Sequence, residues 1–190
     1  MPTIITHAAI PLAIGLGLGS GIISPRLLLA GVAVAILPDA DVLAFHLGIP
    51  YEHALGHRGF SHALFSAALV GLCAAAGASW LRSARLVACL FVTLCMASHG
   101  LLDMLTDGGK GVALLWPFST QRLFFPWHRI EVSPLRLDRI LSARGIEVAL
   151  SELRWVWLPA TIACAALYFG VRPRLKNNFS IGVRLRHSDN

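Results

Sequence analysis

The chain has 190 residues, 56% of them hydrophobic and 14% charged, with a mean hydropathy of +0.68, against roughly 25% charged residues in an average soluble domain. That composition excludes an ordinary soluble globular protein, a disordered chain and a disulfide-stapled miniprotein. The net charge of +6 is spread over loops and the C-terminal end with no basic stripe, so no nucleic-acid partner is expected.

In chain order, five apolar windows stand out. A spanning helix needs about 20 mostly apolar residues, and residues 8–25, 63–81, 86–102 and 155–171 meet or approach that length. Residues 27–45 span only if Asp39 and Asp41 lie at or near membrane depth, where an ionisable side chain is costly and usually functional. Residues 1–6 lack the basic region of a signal peptide, which predicts a retained first helix. Cys73, Cys89, Cys95 and Cys164 all fall inside the windows without a C-x-x-C pair and read as small hydrophobes.

Alternating crossings bring His7, Asp39, Asp41, His62, His99 and Asp103 to one membrane face. The opposite turns hold Arg26, Arg82 and Arg85, and Arg172, Arg174, Lys176, Arg184 and Arg186 follow the last window. The positive-inside rule makes that second face, with the C-terminal tail, cytoplasmic, although residues 106–154 on the first face also carry many basic residues. The segment after the fourth window opens with Asp107, Gly108, Gly109 and Gly111, which are turn signals. Trp116, Phe118, Phe124, Phe125 and Trp127 then suit either an interfacial belt or a packed loop. Ser133 and Pro134 predict the start of a surface helix bearing Leu137, Ile140 and Leu141. The expected fold is an all-α polytopic membrane bundle of four to five membrane helices plus an interfacial helix, with a domain over 1–171 and a basic tail over 172–190.

Chemistry concentrates at the predicted helix ends. In His99-Gly-Leu-Leu-Asp103, imidazole and carboxylate four residues apart share a helix face and can share a metal. Asp39 and Asp41, flanking Ala40 after Pro38, repel each other unless a cation separates them or one is protonated. His57-Arg58-Gly-Phe-Ser61-His62 places two imidazoles near a sharp turn, with Arg58 suited to clamp an anionic oxygen such as phosphate. His7 stands at the mouth of the first helix. Three or four of His7, Asp39, Asp41, His57, His62, His99 and Asp103 satisfy one zinc, and all seven can hold two. His46, His53 and His128 lack a partner at ligand spacing, and His187 lies in the tail.

Read together, His7, Pro38-Asp39-Ala40-Asp41, His57-Arg58-Gly59-Phe60-Ser61-His62, Ser98-His99-Gly100-Leu101-Leu102-Asp103 and Pro117-Phe118-Ser119 resemble the YdjM-type family of inner-membrane metal-dependent hydrolases, over roughly residues 1–127. The resemblance implies a hydrolase without naming a substrate. More distantly, the H-x-x-x-D pair is similar to that of zinc-dependent bacterial phospholipase C enzymes, though no second H-x-x-x-E helix follows it. A lipid-phosphatase arrangement with a nucleophilic histidine would want an arginine six residues before His99, where this chain has Thr93.

These readings predict a multi-pass protein of the bacterial inner membrane that hydrolyses a phosphoester or lipid-like substrate at the bilayer surface, with membrane lipid as its surroundings. One or two divalent ions, expected to be zinc, would activate water, with Asp39 or Asp41 as general base and Arg58 stabilising developing charge. The alternative is a transporter or ion-binding membrane protein without hydrolase activity; carboxylates at helix ends argue against bis-histidine haem.

Overall fold

The computed structural model describes residues 1–133 and 142–174. The predicted surface helix at Pro134 to Leu141 and the tail beyond Arg174 lie outside the described residues. The regular elements among the described residues are helical, with no strand beyond two isolated bridges, Thr106 with Ile130 and Val112 with Leu123.

A 3₁₀ turn, Ile4–Ala8, leads into α1, Ala9–Leu18. Ser24 caps α2, Pro25–Ile36, by accepting from the Leu27 N–H at 3.1 Å, with Pro25 in the first turn, both favoured starts. The chain runs on through a 3₁₀ turn, Leu37–Val42, into the short α3, Leu43–His46. A loop ending in the 3₁₀ turn Phe60–His62 precedes α4, Leu64–Ala76, and α5 follows at Arg85–Met104. Finally, α6, Ala143–Glu152, and α7, Leu158–Ala166, join through a π-helical stretch, Leu153–Trp157.

Pro25–His46, Arg85–Met104 and Ala143–Arg174 are long and apolar enough to cross a membrane, and Ile4–Leu18 and Leu64–Ala76 are shorter apolar helices. The last span starts well before the apolar window at 155–171. Ser142 caps it by accepting from the Gly145 N–H, and the π-helical stretch relieves the carbonyl that Pro159 would otherwise strike.

Helix α5 is the central element, packed on α4 and α2, while α1 packs on α7. Leu27, Ala35, Ala88, Phe91, Val92 and Cys95 form the core between α2 and α5. Gly71 lets α4 and α5 meet: a Cβ there would lie 2.8 Å from the Cys89 carbonyl oxygen, the close approach that small residues permit between membrane helices. Leu29, Leu72, Leu90, Ile162 and Phe169 are exposed on the outside of the bundle, as helices facing lipid require.

The two ends of the bundle differ. Ser24 donates to the Leu81 carbonyl and Arg26 to that of Trp80, so the arginine-bearing turns meet at one end; Arg172 lies there too, against Gly19. The other end carries the His and Asp residues. From Arg85 to Asp103 along α5 is about 27 Å at 1.5 Å per residue, close to the hydrocarbon thickness. The segment 105–133 covers the second end: Leu64 N–H donates to Leu114, Ala113 N–H to Arg58, and Val112 and Leu123 exchange two backbone hydrogen bonds. Phe118 and Trp127 point outward there, whereas the Trp116 ring packs edge-on against Phe60 and Phe65.

Candidate metal centre

Four elements deliver the cluster: the first 3₁₀ turn brings His7, the turn after α2 brings Asp39, the turn before α4 brings His62, and the last turns of α5 bring His99 and Asp103. Asp39, His62, His99 and Asp103 are all buried, and each offers a ligand atom within 4.8 Å of the others. Nε2 of His99 is 3.0 Å from Nε2 of His62 and 3.3 Å from Oδ1 of Asp39, and Nε2 of His62 is 3.3 Å from Oδ2 of Asp103. A tetrahedral zinc site with bonds of about 2.1 Å separates its ligand atoms by roughly 3.4 Å, so these spacings suit one ion.

Their tautomers fit the same role. His99 Nδ1 donates to the Ala35 carbonyl at 2.7 Å, which turns the Nε2 lone pair toward the cluster. His62 Nδ1 lies 3.2 Å from Asp41 Oδ2, an imidazole held by a carboxylate on its far nitrogen. Burial disfavours the His62 imidazolium, but the Asp103 and Asp41 carboxylates prevail and raise its pKa to about 9.

His7 completes the surround. Its Nε2 is 3.7 Å from Asp39 and 3.8 Å from Asp103, and its ring stacks on that of His99 at 3.7 Å. Neither nitrogen of His7, neither oxygen of Asp39 and neither oxygen of Asp103 has a hydrogen-bond partner. Buried carboxylates left this way cost several kcal/mol unless a cation compensates them. The donor set is therefore one that a divalent ion fits.

Asp41 and His57 stand apart from this group. Asp41 Oδ1 pairs with His57 Nδ1 at 2.5 Å, and Oδ2 accepts from Ser61 Oγ at 2.5 Å and the Arg58 N–H at 3.1 Å. The carboxylate is thus occupied by protein donors. The His57 ring meets those of His62 and Tyr51 edge-on, at the rim of the cluster.

Arg58 is buried. Its Nε lies 2.9 Å from Asp103 Oδ2, in ion-pair contact without the angle of a hydrogen bond, while Nη1 donates to the Gly108 carbonyl and Nη2 to Thr106 Oγ1. A φ of +60° turns the residue inward, a conformation that costs a non-glycine residue about 1–3 kcal/mol. Exposed His46, His53 and His128 lie away from the cluster.

Several supporting residues carry no local sequence signal. Arg122 donates to the carbonyls of Tyr51, His57, Arg58 and Gly111, fixing the loop that bears the histidines. Glu152, buried on α6, accepts from Thr3 N–H, Thr3 Oγ1 and Thr6 Oγ1, anchoring the turn that holds His7 to the last span. Gly100 allows the turn before α4 to reach α5, since a Cβ there would sit 2.5 Å from the His62 carbonyl oxygen. Its place within Ser-His-Gly was the one available hint.

An all-helical membrane protein with a buried Asp/His/His/Asp group able to bind a metal ion is the class that this fold and cluster define. The chain belongs to the YdjM inner membrane protein family, whose sequence profile matches residues 1–179. It is 51% identical over 170 residues to inner membrane protein YbcI of Escherichia coli (strain K12), an alignment covering 89% of this chain and 98% of that protein. No solved structure matches it.

Proposed function

We propose that the protein is a multi-pass, metal-dependent hydrolase acting on a phosphoester or lipid-like substrate at the bilayer surface. The observation that carries this reading is the gathering of the buried carboxylates of Asp39 and Asp103, whose oxygens make no hydrogen bond, with His7, His62 and His99, against which Arg58 supplies one positive charge, to Asp103. Asp39, His62, His99 and Asp103 would hold the ion, with His7 available as a further ligand. A divalent ion, zinc being the expected one, supplies Lewis-acid polarisation and a bound water of lowered pKa.

Around it the chain's own residues divide the work. Asp41 orients His62 and His57, and the Asp41–His57 pair at the rim is placed to take up and return a proton. Arg58 fixes Asp103, so its contribution runs through that carboxylate and the loop. The positive-inside rule, applied to the end that gathers Arg26, Arg82, Arg85 and Arg172, puts that end and the C-terminus in the cytoplasm and the cluster on the other side.

A transporter would use similar side chains, but it needs a route across. Beneath the cluster the core of Leu27, Phe91, Val92 and Cys95 is buried and apolar, without a charged side chain, which favours a one-sided site. The test is metal analysis of detergent-purified protein alongside His99→Ala, with phosphodiester and phospholipid substrates assayed on both. Tightly bound metal and metal-dependent hydrolysis, both lost in the variant, are expected. Metal flux in vesicles without hydrolysis would overturn the reading.

A further inference from the structure

Beside the metal cluster lies a second compartment of opposite character. It is a cavity of about 630 Å³ whose wall includes Leu43, Leu47, Phe65, Leu69, Val70 and Met96, with Asp41 as its only charged lining residue among the described residues. That volume falls in the range of small-molecule sites. Ser61, also in the wall, donates to Asp41, so the polar atoms gather where the cavity meets the cluster.

Two helices give its direction. Val70 lies six residues into α4 from Leu64, about 9 Å toward the middle of the bundle, and Met96 precedes Asp103 on α5 by seven residues, about 10 Å the same way. The cavity therefore runs from the level of the metal ligands inward along the helices, parallel to the chains of a surrounding bilayer. Leu43, Leu47, Phe65 and Leu69 are also exposed on the outer surface, so the same residues face the hydrocarbon and wall the cavity.

We propose that this cavity is a slot for one acyl chain of a membrane lipid, which enters sideways from the bilayer and leaves its head group at the polar end of the slot, beside the metal cluster. A soluble polar substrate would find nothing to bond to along the apolar wall. A protein helix, about 10–12 Å across with its side chains, is too thick for a compartment of this size. The slot deepens the hydrolase reading and rests on it for the chemistry at the head group, but occupancy is measured without turnover.

The probe is phosphatidylglycerol carrying a diazirine in its acyl chain, photolysed in phosphatidylethanolamine nanodiscs containing the full-length protein, with labelled residues mapped by mass spectrometry. Label concentrated on Val70 and Met96, above that on the outward-facing Leu29 and Leu90, is expected. Val70→Phe and Ala44→Phe fill the slot and should cut that labelling about tenfold, whereas Leu72→Phe, on the outer face of α4, should leave it unchanged. Equal labelling of slot and outer-face residues in the unmodified protein, which needs no variant to fold, would overturn the slot, as would labelling indifferent to both fillings. Slot labelling with no lipid hydrolysed by metal-loaded protein supports the slot and removes only the hydrolase reading. Hydrolysis with no label in the slot does the reverse.

Discussion

Asp39 and Asp41 are two residues apart, yet the structure gives them different work, and this difference can be measured. Asp39 presents two unpartnered oxygens to the cluster; Asp41 spends its oxygens on His57, Ser61 and the Arg58 N–H and stands 3.2 Å behind His62. Structural zinc sites bind with about 10–16 kcal/mol shared over four ligands, so losing one ligand weakens binding on the order of 10²–10³-fold. Loss of a carboxylate that only orients a ligating histidine costs 10–100-fold, about 1.4–2.8 kcal/mol. Asp39→Asn should therefore lower zinc affinity by roughly 10²–10³-fold and Asp41→Asn by roughly 10–100-fold. The assay is competition between metal-stripped, detergent-solubilised protein and a chromophoric chelator, with circular dichroism confirming retained helix. If Asp41→Asn weakens zinc as much as Asp39→Asn does, or leaves it unchanged, the division of roles is wrong.

Arg58→Ala leaves Asp103 without its guanidinium partner, so thermal unfolding of the metal-free protein should show a loss of about 3–5 kcal/mol, and zinc content should fall with it; an unaltered melting curve would count against a structural Arg58. Gly100→Ala places a methyl 2.5 Å from the His62 carbonyl oxygen and should destabilise the fold by about 1–3 kcal/mol, displacing His62 and weakening zinc binding in the same chelator assay. For pH, His62 titrates near 9 in the metal-free protein because the neighbouring carboxylates outweigh burial. It is protonated at neutrality and must lose that proton to ligate, so apparent zinc affinity should rise about tenfold per pH unit up to about pH 9 and then level off; a flat profile in the competition assay would refute this.

Where side-chain direction follows from a regular helix, the sequence was readable. His99 and Asp103 share a face because four residues make about one turn, and the structure places both in the cluster. Asp39 and Asp41 were harder, because they lie in a 3₁₀ turn. At three residues per turn, positions two apart point about 120° away from each other around the helix, sending one carboxylate inward and the other toward His57. No local pattern announces that turn. Arg58 read as a clamp for an anionic oxygen such as phosphate; the structure buries it against the Asp103 carboxylate, with Thr106 and Gly108 arriving from the covering segment to accept from its guanidinium. The contacts of Glu152 with Thr3 and Thr6 join residues nearly 150 positions apart, beyond the reach of spacing arguments.

Charge and access together explain why the cluster sits where it does. Asp39, Asp41 and Asp103 set three carboxylates against the single guanidinium of Arg58, and once His62 has given up its proton to ligate, the two remaining negative charges are what one divalent ion cancels. His7, His99 and Asp103 have no exposed surface, and the apolar core closes the far side. Asp41 and Ser61, which contact His62, also line the cavity, so the two compartments adjoin there. On the proposed reading a reacting bond arrives there, from the membrane and beside the Asp41–His57 pair, and the residue that lies between the polar and apolar compartments is also the one that contacts His62. On this arrangement, a change at Asp41 alters metal affinity and substrate placement together, whereas filling the slot at Val70 should alter substrate placement alone.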